Sequence, residues 1–338
     1  MSTPNIKFIV LGFGHIGKRH AEEISACPSA ALAAIIDMDA EARLLADQMY
    51  QVPCFDSLDQ CIAAGINADV VAICTPNGLH IPHAIHAINN DFNVLVEKPV
   101  GLLVEECYSL QELAQAKNKE VFCVLQNRYS PPAALLKKLV TEQSLGKILW
   151  VQVNCYWNRD HRYYKPGNWR GTLHLDGGTL YTQFSHFVDL LYWVFGDLEI
   201  KNTFFANCNH QGMIEFEDTG SFHFNFENEG AGVFSYSTSV IGANMESSII
   251  ILGEKGSIKI GGQYMEKLEF FHVDGMETPN LASANKPNHY GSYQGSANNH
   301  STVILNVVNA LLGLPYEIAT LEEAIHSVGI IQRVYQNR

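Results

Sequence analysis

The sequence predicts an α/β protein of two domains: an N-terminal doubly wound parallel sheet, and a C-terminal α+β domain with a large, open, mainly antiparallel sheet. Three observations predict it. The first third of the 338 residues alternates short apolar runs with helix-compatible stretches, as in a parallel sheet covered on both faces. A cluster of glycines follows the first apolar run and opens the first helix. Beyond the helix-compatible segment 133–140, strand-like runs mostly follow one another.

In order, Ile6–Leu11 is a first strand, followed by a helix to about Ala26. Ala31–Ile36 is a second strand that ends on Asp37. Ser57–Ala64 is a helix, with Ser57 and Gln60 at capping-box spacing. Strand Asp69–Cys74, helix Leu79–Ile88, strand Val94–Val96, helix Val104–Ala116 and strand Val121–Leu125 complete the parallel sheet. The later strands are Ile148–Tyr156, Lys201–Ala206, Ser221–Phe226, Gly232–Ser237, Ser247–Leu252, Ser257–Ile260 and Leu268–His272, interrupted by a helix over Thr179–Phe195. Residues 277–299, rich in Asn, Gly, Ser and Pro, read as a loop. Two helices close the chain; the first stops at Gly313 before Pro315, and the second starts at Thr320, with Glu323 at capping-box spacing. The expected domains are 1–126 and 127–319, with the helix 320–338 packing back on the first.

Composition narrows the function. A hydrophobic fraction of 47% and a charged fraction of 17% are ordinary for a globular chain. The net charge of −13 argues against a broad nucleic-acid surface, which needs a basic field. The eight cysteines form no C-x-x-C, and Cys74 and Cys123 sit inside apolar runs; they read as free thiols of a reducing compartment. The start, "MSTPNIKFIV", has no signal-peptide pattern, and no window approaches the ~18 apolar residues of a membrane span. A cytoplasmic protein is expected.

The glycine cluster is the sharpest signal. "GFGHIG" places Gly12, Gly14 and Gly17 in G-x-G-x-x-G, with Phe13, His15 and Ile16 between them. The first glycine permits a tight turn, the second lets a pyrophosphate approach the backbone, and the third lets strand and helix pack closely, with the helix N-terminus facing the phosphates. Asp37 lies 20 residues after Gly17, where a carboxylate accepts from ribose hydroxyls and repels a 2′-phosphate. NAD is therefore expected rather than NADP.

Other residues offer chemistry of their own. Arg159, Arg162, Lys165 and Arg170 fall within twelve residues, whereas the whole chain holds 22 basic residues. That excess suggests a site for a carboxylate or phosphate, joined by Arg128, with Tyr163, Tyr164 and Trp169 available for stacking. His80, His83 and His86 read as a solvated helix face rather than a metal site; His80, nearest the strand end, is the one placed to touch a cofactor. His186 lies among apolar residues at helical spacing and is a candidate general base, since imidazole titrates near neutrality.

Taken together, these motifs resemble the glucose–fructose oxidoreductase / inositol dehydrogenase / rhizopine catabolism (Gfo/Idh/MocA) family. The carriers span the chain: "GFGHIG" at 12–17, "CTPNGLH" at 74–80, "EKPVG" at 97–101, "NWRGT" at 168–172 and "DGGTLYTQFSH" at 176–186. The resemblance implies that Lys98 lies beside the reacting hydroxyl, that the Lys98–Pro99 peptide is cis, and that His186 is the catalytic base. It implies cofactor contacts from Thr75, Pro76, Asn77, His80, Glu97, Lys98, Gln126, Trp169 and Arg170. Many members carry Asp four residues before the histidine; here that position is Thr182, and Asp176 stands where many have glycine. Both features are similar to the branch that oxidises C3 of UDP-N-acetylglucosaminuronate.

The implied reaction is oxidation of a secondary hydroxyl of an anionic sugar-type substrate. His186 would take the hydroxyl proton, Lys98 would stabilise the oxygen, and Thr182 would orient it. Arg128, Arg159, Tyr164, Lys165, Thr182, His186 and Lys98 are the expected substrate residues. Family analogy implies a homodimer or homotetramer built on the open sheet. Three alternatives remain: an inositol or free-sugar dehydrogenase, an NAD-dependent glycosidase, and a non-catalytic NAD-binding regulator.

Overall fold

The structure is a computed structural model that describes residues 5–227, 230–283, 285, 287–289 and 294–338. The chain divides into two compact units: one runs to Leu125 and adds His300–Ile325, the other comprises Gln126–Asn299 and His326–Arg338.

The first unit holds a six-stranded sheet. Its strands are β1 (Ile6–Leu11), β2 (Ala30–Ile36), β3 (Cys54–Phe55), β4 (Val70–Ile73), β5 (Asn93–Val96) and β6 (Val121–Cys123), in the order β3-β2-β1-β4-β5-β6. Every pairing is parallel. The order reverses at β1/β4, the crevice where ligands bind in doubly wound sheets. All four residues of β4 are buried, as are Phe8 to Leu11 of β1, because helices cover both faces. The helix His15–Ala26 buries Gly17, His20, Ala21 and Ile24, one stripe at helical spacing. Leu58–Ala63 starts at Ser57, whose Oγ accepts from the Gln60 N–H at 3.4 Å, while the Gln60 side chain bonds Asp56 instead of closing the box. The closing helix Leu321–Gln336 has both halves of its box: Thr320 N–H donates to Glu323 and Glu323 N–H donates to Thr320 Oγ1.

The second unit is built on a seven-stranded sheet of β7 (Ile148–Tyr156), β8 (Leu198–Ala206), β9 (Thr219–Phe226), β10 (Ala231–Ser237), β11 (Glu246–Gly253), β12 (Gly256–Gly261) and β13 (Lys267–Val273). The order is β13-β12-β11-β7-β10-β9-β8, antiparallel except for the β7–β10 pair. Buried and half-buried residues alternate strictly along β10, so one face is core. Phe222 and Phe234 stack at 5.1 Å on that face. Trp157, just past β7, meets Phe184 and Phe187 edge-on, the latter on the helix Ser185–Phe195.

Four expectations need correction. The helix Ala40–Tyr50 and the two-residue strand β3 add to the expected elements; the helix buries only Ala46, so its apolar pattern is faint. Part of the expected loop 277–299 pairs as a short hairpin, Pro287–His289 with Gln294–Ala297, while residues 284, 286 and 290–293 lie outside the described residues. The helix 179–195 opens with a π-helical turn, Leu180–Phe184. Finally, the C-terminal segment 326–338 groups with the second unit, not the first, and the helix His300–Leu311 groups with the first. Tyr335 stacks on Tyr181 and Phe205, which ties this end to the second sheet.

Candidate active site

In the first unit the glycine loop follows β1 directly. Gly12 has φ +93°, and a Cβ there would lie 2.8 Å from the Cys74 carbonyl oxygen. A Cβ at Gly17 would lie 1.8 Å from the Gly12 carbonyl oxygen. At Gly14, which caps the helix without any side-chain bond, a Cβ would meet nothing within 4 Å. Two glycines are thus demanded by packing, and the third opens the loop outward, the shape a pyrophosphate needs. Asp37 takes the Phe13 N–H at 2.6 Å and the Asp39 N–H at 2.8 Å. A carboxylate has about four acceptor positions, so it retains capacity for ribose hydroxyls. His15 is exposed and Ile16 half-buried beside the loop, whereas the Phe13 ring is buried against Tyr50. These residues fit NAD.

The ends of β4 and β5 supply the other motif residues. Thr75 and Pro76 are half-buried and Asn77 buried. His80 is buried, with Nδ1 2.7 Å from the Pro99 carbonyl and Nε2 2.8 Å from the Thr75 carbonyl. It is therefore a strut between two loops rather than part of a solvated face, and burial lowers its pKa against the pull of those carbonyls. His83 bonds Thr75 Oγ1 and the half-exposed His86 pairs with Asp59. The Lys98–Pro99 peptide is cis, and Lys98 is half-buried.

Glu97 is buried, with Oε1 2.7 Å from His20 Nε2 and 3.3 Å from His300 Nε2, and with Oε2 accepting the Lys98 N–H at 3.1 Å. Glu97 thus faces the interior of its unit, which sets it apart from a cofactor-touching side chain. Burial would raise its pKa, yet the two imidazoles hold it well below the usual carboxylate range. The 2.7 Å contact is closer than the roughly 3.3 Å that separates tetrahedral ligands of zinc bonded at about 2.0–2.1 Å. Sequence reasoning missed His20 and His300; the signal for His20 was a polar residue on the buried stripe of its helix.

In the second unit His186 stands just past the π-turn and is buried. Its Nε2 lies 3.1 Å from the Gln126 side-chain nitrogen. An amide nitrogen donates and does not accept, so Nε2 carries a lone pair. Gln126 is buried, and its backbone carbonyl accepts from the Asn299 side chain at 3.0 Å. Thr182 donates its hydroxyl to the Asp176 carboxylate, whose other oxygen takes the Gly171 N–H at 2.8 Å.

Arg128 is not an open anion receptor. Its guanidinium forks onto buried Asp189 at 2.9 and 2.7 Å, three residues beyond His186 on the same helix. Tyr164 is likewise core: it packs with Tyr163, Ile214 and Phe216. The basic cluster divides in the same way. Arg162 is taken by Asp160 at 2.6 Å. Arg159 is buried on Gln183, Asn158 and Asn244. Lys165 is exposed, and Arg170 stacks between Tyr163 and the half-buried Trp169, at 4.7 and 4.9 Å from their ring centres.

A six-stranded sheet of this order with this glycine loop defines a dinucleotide-binding unit, and it is followed here by a mainly antiparallel α/β unit. Residues 6–124 match the family model described as oxidoreductase family, NAD-binding Rossmann fold, and residues 137–338 match its C-terminal alpha/beta domain. The chain belongs to the Gfo/Idh/MocA oxidoreductase family, and its first domain is an NAD-binding Rossmann domain. It is similar in structure to the WlbA dehydrogenase of Bordetella pertussis, solved with NADH and UDP-GlcNAcA, at TM-score 0.88 and 29% identity over 98% of this chain and 96% of that one. The WlbA enzyme of Chromobacterium violaceum, solved with the same two molecules, gives TM-score 0.88 and 28% identity over 100% and 94%. Among curated relatives, the Bacillus subtilis glucose-6-phosphate 3-dehydrogenase is 25% identical over 60% of this chain and 57% of its own length. The chain therefore spans little more than half the length of that relative.

Proposed function

We propose that the chain oxidises a secondary hydroxyl, at C3 of an anionic sugar such as a nucleotide-linked uronate, with NAD. The observation that carries the reading is His186, a buried imidazole whose Nε2 accepts from the Gln126 side-chain amide and is therefore the unprotonated, basic nitrogen. His186 accepts the hydroxyl proton, and the Lys98 ammonium stabilises the charge that develops on the same oxygen. When bound, NAD supplies the hydride acceptor. Gly14 leaves room for its pyrophosphate, and Asp37 accepts from its ribose and disfavours a 2′-phosphate. The exposed Lys165 and the half-buried Arg170 are the candidates for the anionic part of the substrate, since Arg159 is buried and engaged. The two WlbA complexes support a UDP-sugar acid, and the name of the glucose-6-phosphate 3-dehydrogenase supports the 3-position.

The same reading includes a homodimer or homotetramer. Leu252 and Phe270 are exposed on strands of the open sheet, a surface suited to a second copy, and light scattering tests it. A cytoplasmic setting is supported by eight free thiols. Among the described residues, no helix is long and apolar enough to cross a membrane.

The test is NADH formation with UDP-N-acetylglucosaminuronate, glucose 6-phosphate, a methyl glucoside and an inositol. The UDP-sugar acid is expected to be turned over best, and Lys98→Met and His186→Ala to lose about 10²–10⁴-fold in kcat. Equal turnover of the neutral sugars would remove the anionic substrate, and near-normal kcat in both variants would remove the mechanism.

A further inference from the structure

The His20–Glu97–His300 cluster has no role in the chemistry above, yet all three residues are at most 4% exposed. They come from three places in the first unit: the helix opened by the glycine loop, the end of β5, and the first turn of the helix His300–Leu311. The two imidazole rings meet edge-to-face at 5.4 Å. A buried carboxylate is costly unless its oxygens are satisfied. Here one oxygen serves the two imidazoles and the other serves the backbone N–H of Lys98. The second bond is unusual in kind: it fixes not a side chain but the main chain of the residue expected to meet the substrate.

We propose that Glu97 is a positioning residue for Lys98, and that His20 and His300 act through it by anchoring its carboxylate to two helices. The inference rests on the reading of Lys98 given above. The groups that face the cluster are Cys74 and His80 from the loop after β4, Arg19 beside His20, and Lys98 itself. Cys74 and His80 lie wholly within the buried interior, and Arg19 is engaged by Glu22 at 2.7 Å. The carboxylate, held ionised by its two imidazoles, keeps its acceptor for the Lys98 N–H.

Two measurements test this. Hydrogen exchange at the Lys98 amide is expected to quicken about tenfold or more in Glu97→Gln and in His300→Ala, and to stay near the native rate in His300→Gln, which keeps a donor. Unchanged exchange in both disruptive variants would overturn the proposal, and this arm needs no substrate. With UDP-N-acetylglucosaminuronate and NAD, Glu97→Gln is expected to lose about tenfold or more in kcat while the KM for NAD stays within about threefold. The Glu97→Gln/Lys98→Met double variant is then expected to be no slower than Lys98→Met alone, because the carboxylate acts only through the lysine. Additive losses would mark Glu97 as independently structural and overturn the proposal. Full activity of Lys98→Met would instead sink the dehydrogenase mechanism, and the exchange arm would still decide the positioning.

Discussion

Gly17 packs against Gly12 so closely that a Cβ at position 17 would stand 1.8 Å from the Gly12 carbonyl oxygen. No rotamer relieves that contact, because both atoms belong to the backbone or are fixed by it. Gly17→Ala is expected to cost about 1–3 kcal/mol or more, through displacement of strand and helix, and to abolish NADH binding with it. Gly14→Ala should do the opposite. Its Cβ meets nothing within 4 Å, so the melting temperature should hold while NADH affinity falls. Thermal unfolding and NADH fluorescence titration separate the two. Native affinity in Gly14→Ala would mean the loop is not the phosphate cradle.

The Arg128–Asp189 fork makes a second prediction. Both side chains are buried, and Ser327 adds a further hydrogen bond to Asp189 at 2.9 Å. Removing one partner strands a buried charge, so Asp189→Asn is expected to cost about 3–5 kcal/mol in urea unfolding. The helix that carries Asp189 also carries His186, so activity should fall in step with folded fraction. A loss of less than about 1 kcal/mol would place the pair among solvated bridges.

Local features were legible in the sequence and partners were not. The turn at Gly12–Gly17, the strand end at Asp37 and the alternation along β10 depend on neighbours within one element, so residue type and spacing carry them. Arg128 read as an anion site because its neutralising Asp189 is 61 residues away. Tyr164 read as a stacking platform because periodicity reports burial without naming what covers the ring. The closing helix was legible from Thr320 and Glu323, but a capping box says where a helix starts and not which unit holds its far end. The Ala40–Tyr50 helix, with one buried residue, offered little pattern to read.

Thr182 separates two roles. Its hydroxyl is donated to Asp176, which is 1% exposed. If that bond is its purpose, Thr182→Val should cost about 1–3 kcal/mol by leaving a buried carboxylate short of a donor, with kcat changed little in the folded enzyme. If Thr182 instead orients the substrate, kcat/KM should fall about tenfold or more with the melting temperature intact. The geometry favours the first outcome, and steady-state kinetics beside a thermal melt decides it.

The buried cluster also predicts how stability depends on pH. For His20, burial would lower the pKa, but Cys74 and the Glu97 carboxylate outweigh it and raise it from 6.5 to about 10. A base with a raised folded pKa contributes its stability fully below 6.5 and loses it as pH climbs towards 10. Glu97 is lowered from 4.5, so its contribution is present above that value and is lost as pH falls below it. His300 is lowered from 6.5, chiefly by burial, so it too contributes above that value and loses stability as pH falls. The first unit should therefore be most stable near pH 6–7 and weaken towards alkali as His20 loses its proton. Urea unfolding at pH values from about 6 to 9 is expected to show this decline in the native protein and a flatter profile in His20→Gln. If the gap between the two proteins stayed constant across that range, His20 would not hold a proton against Glu97.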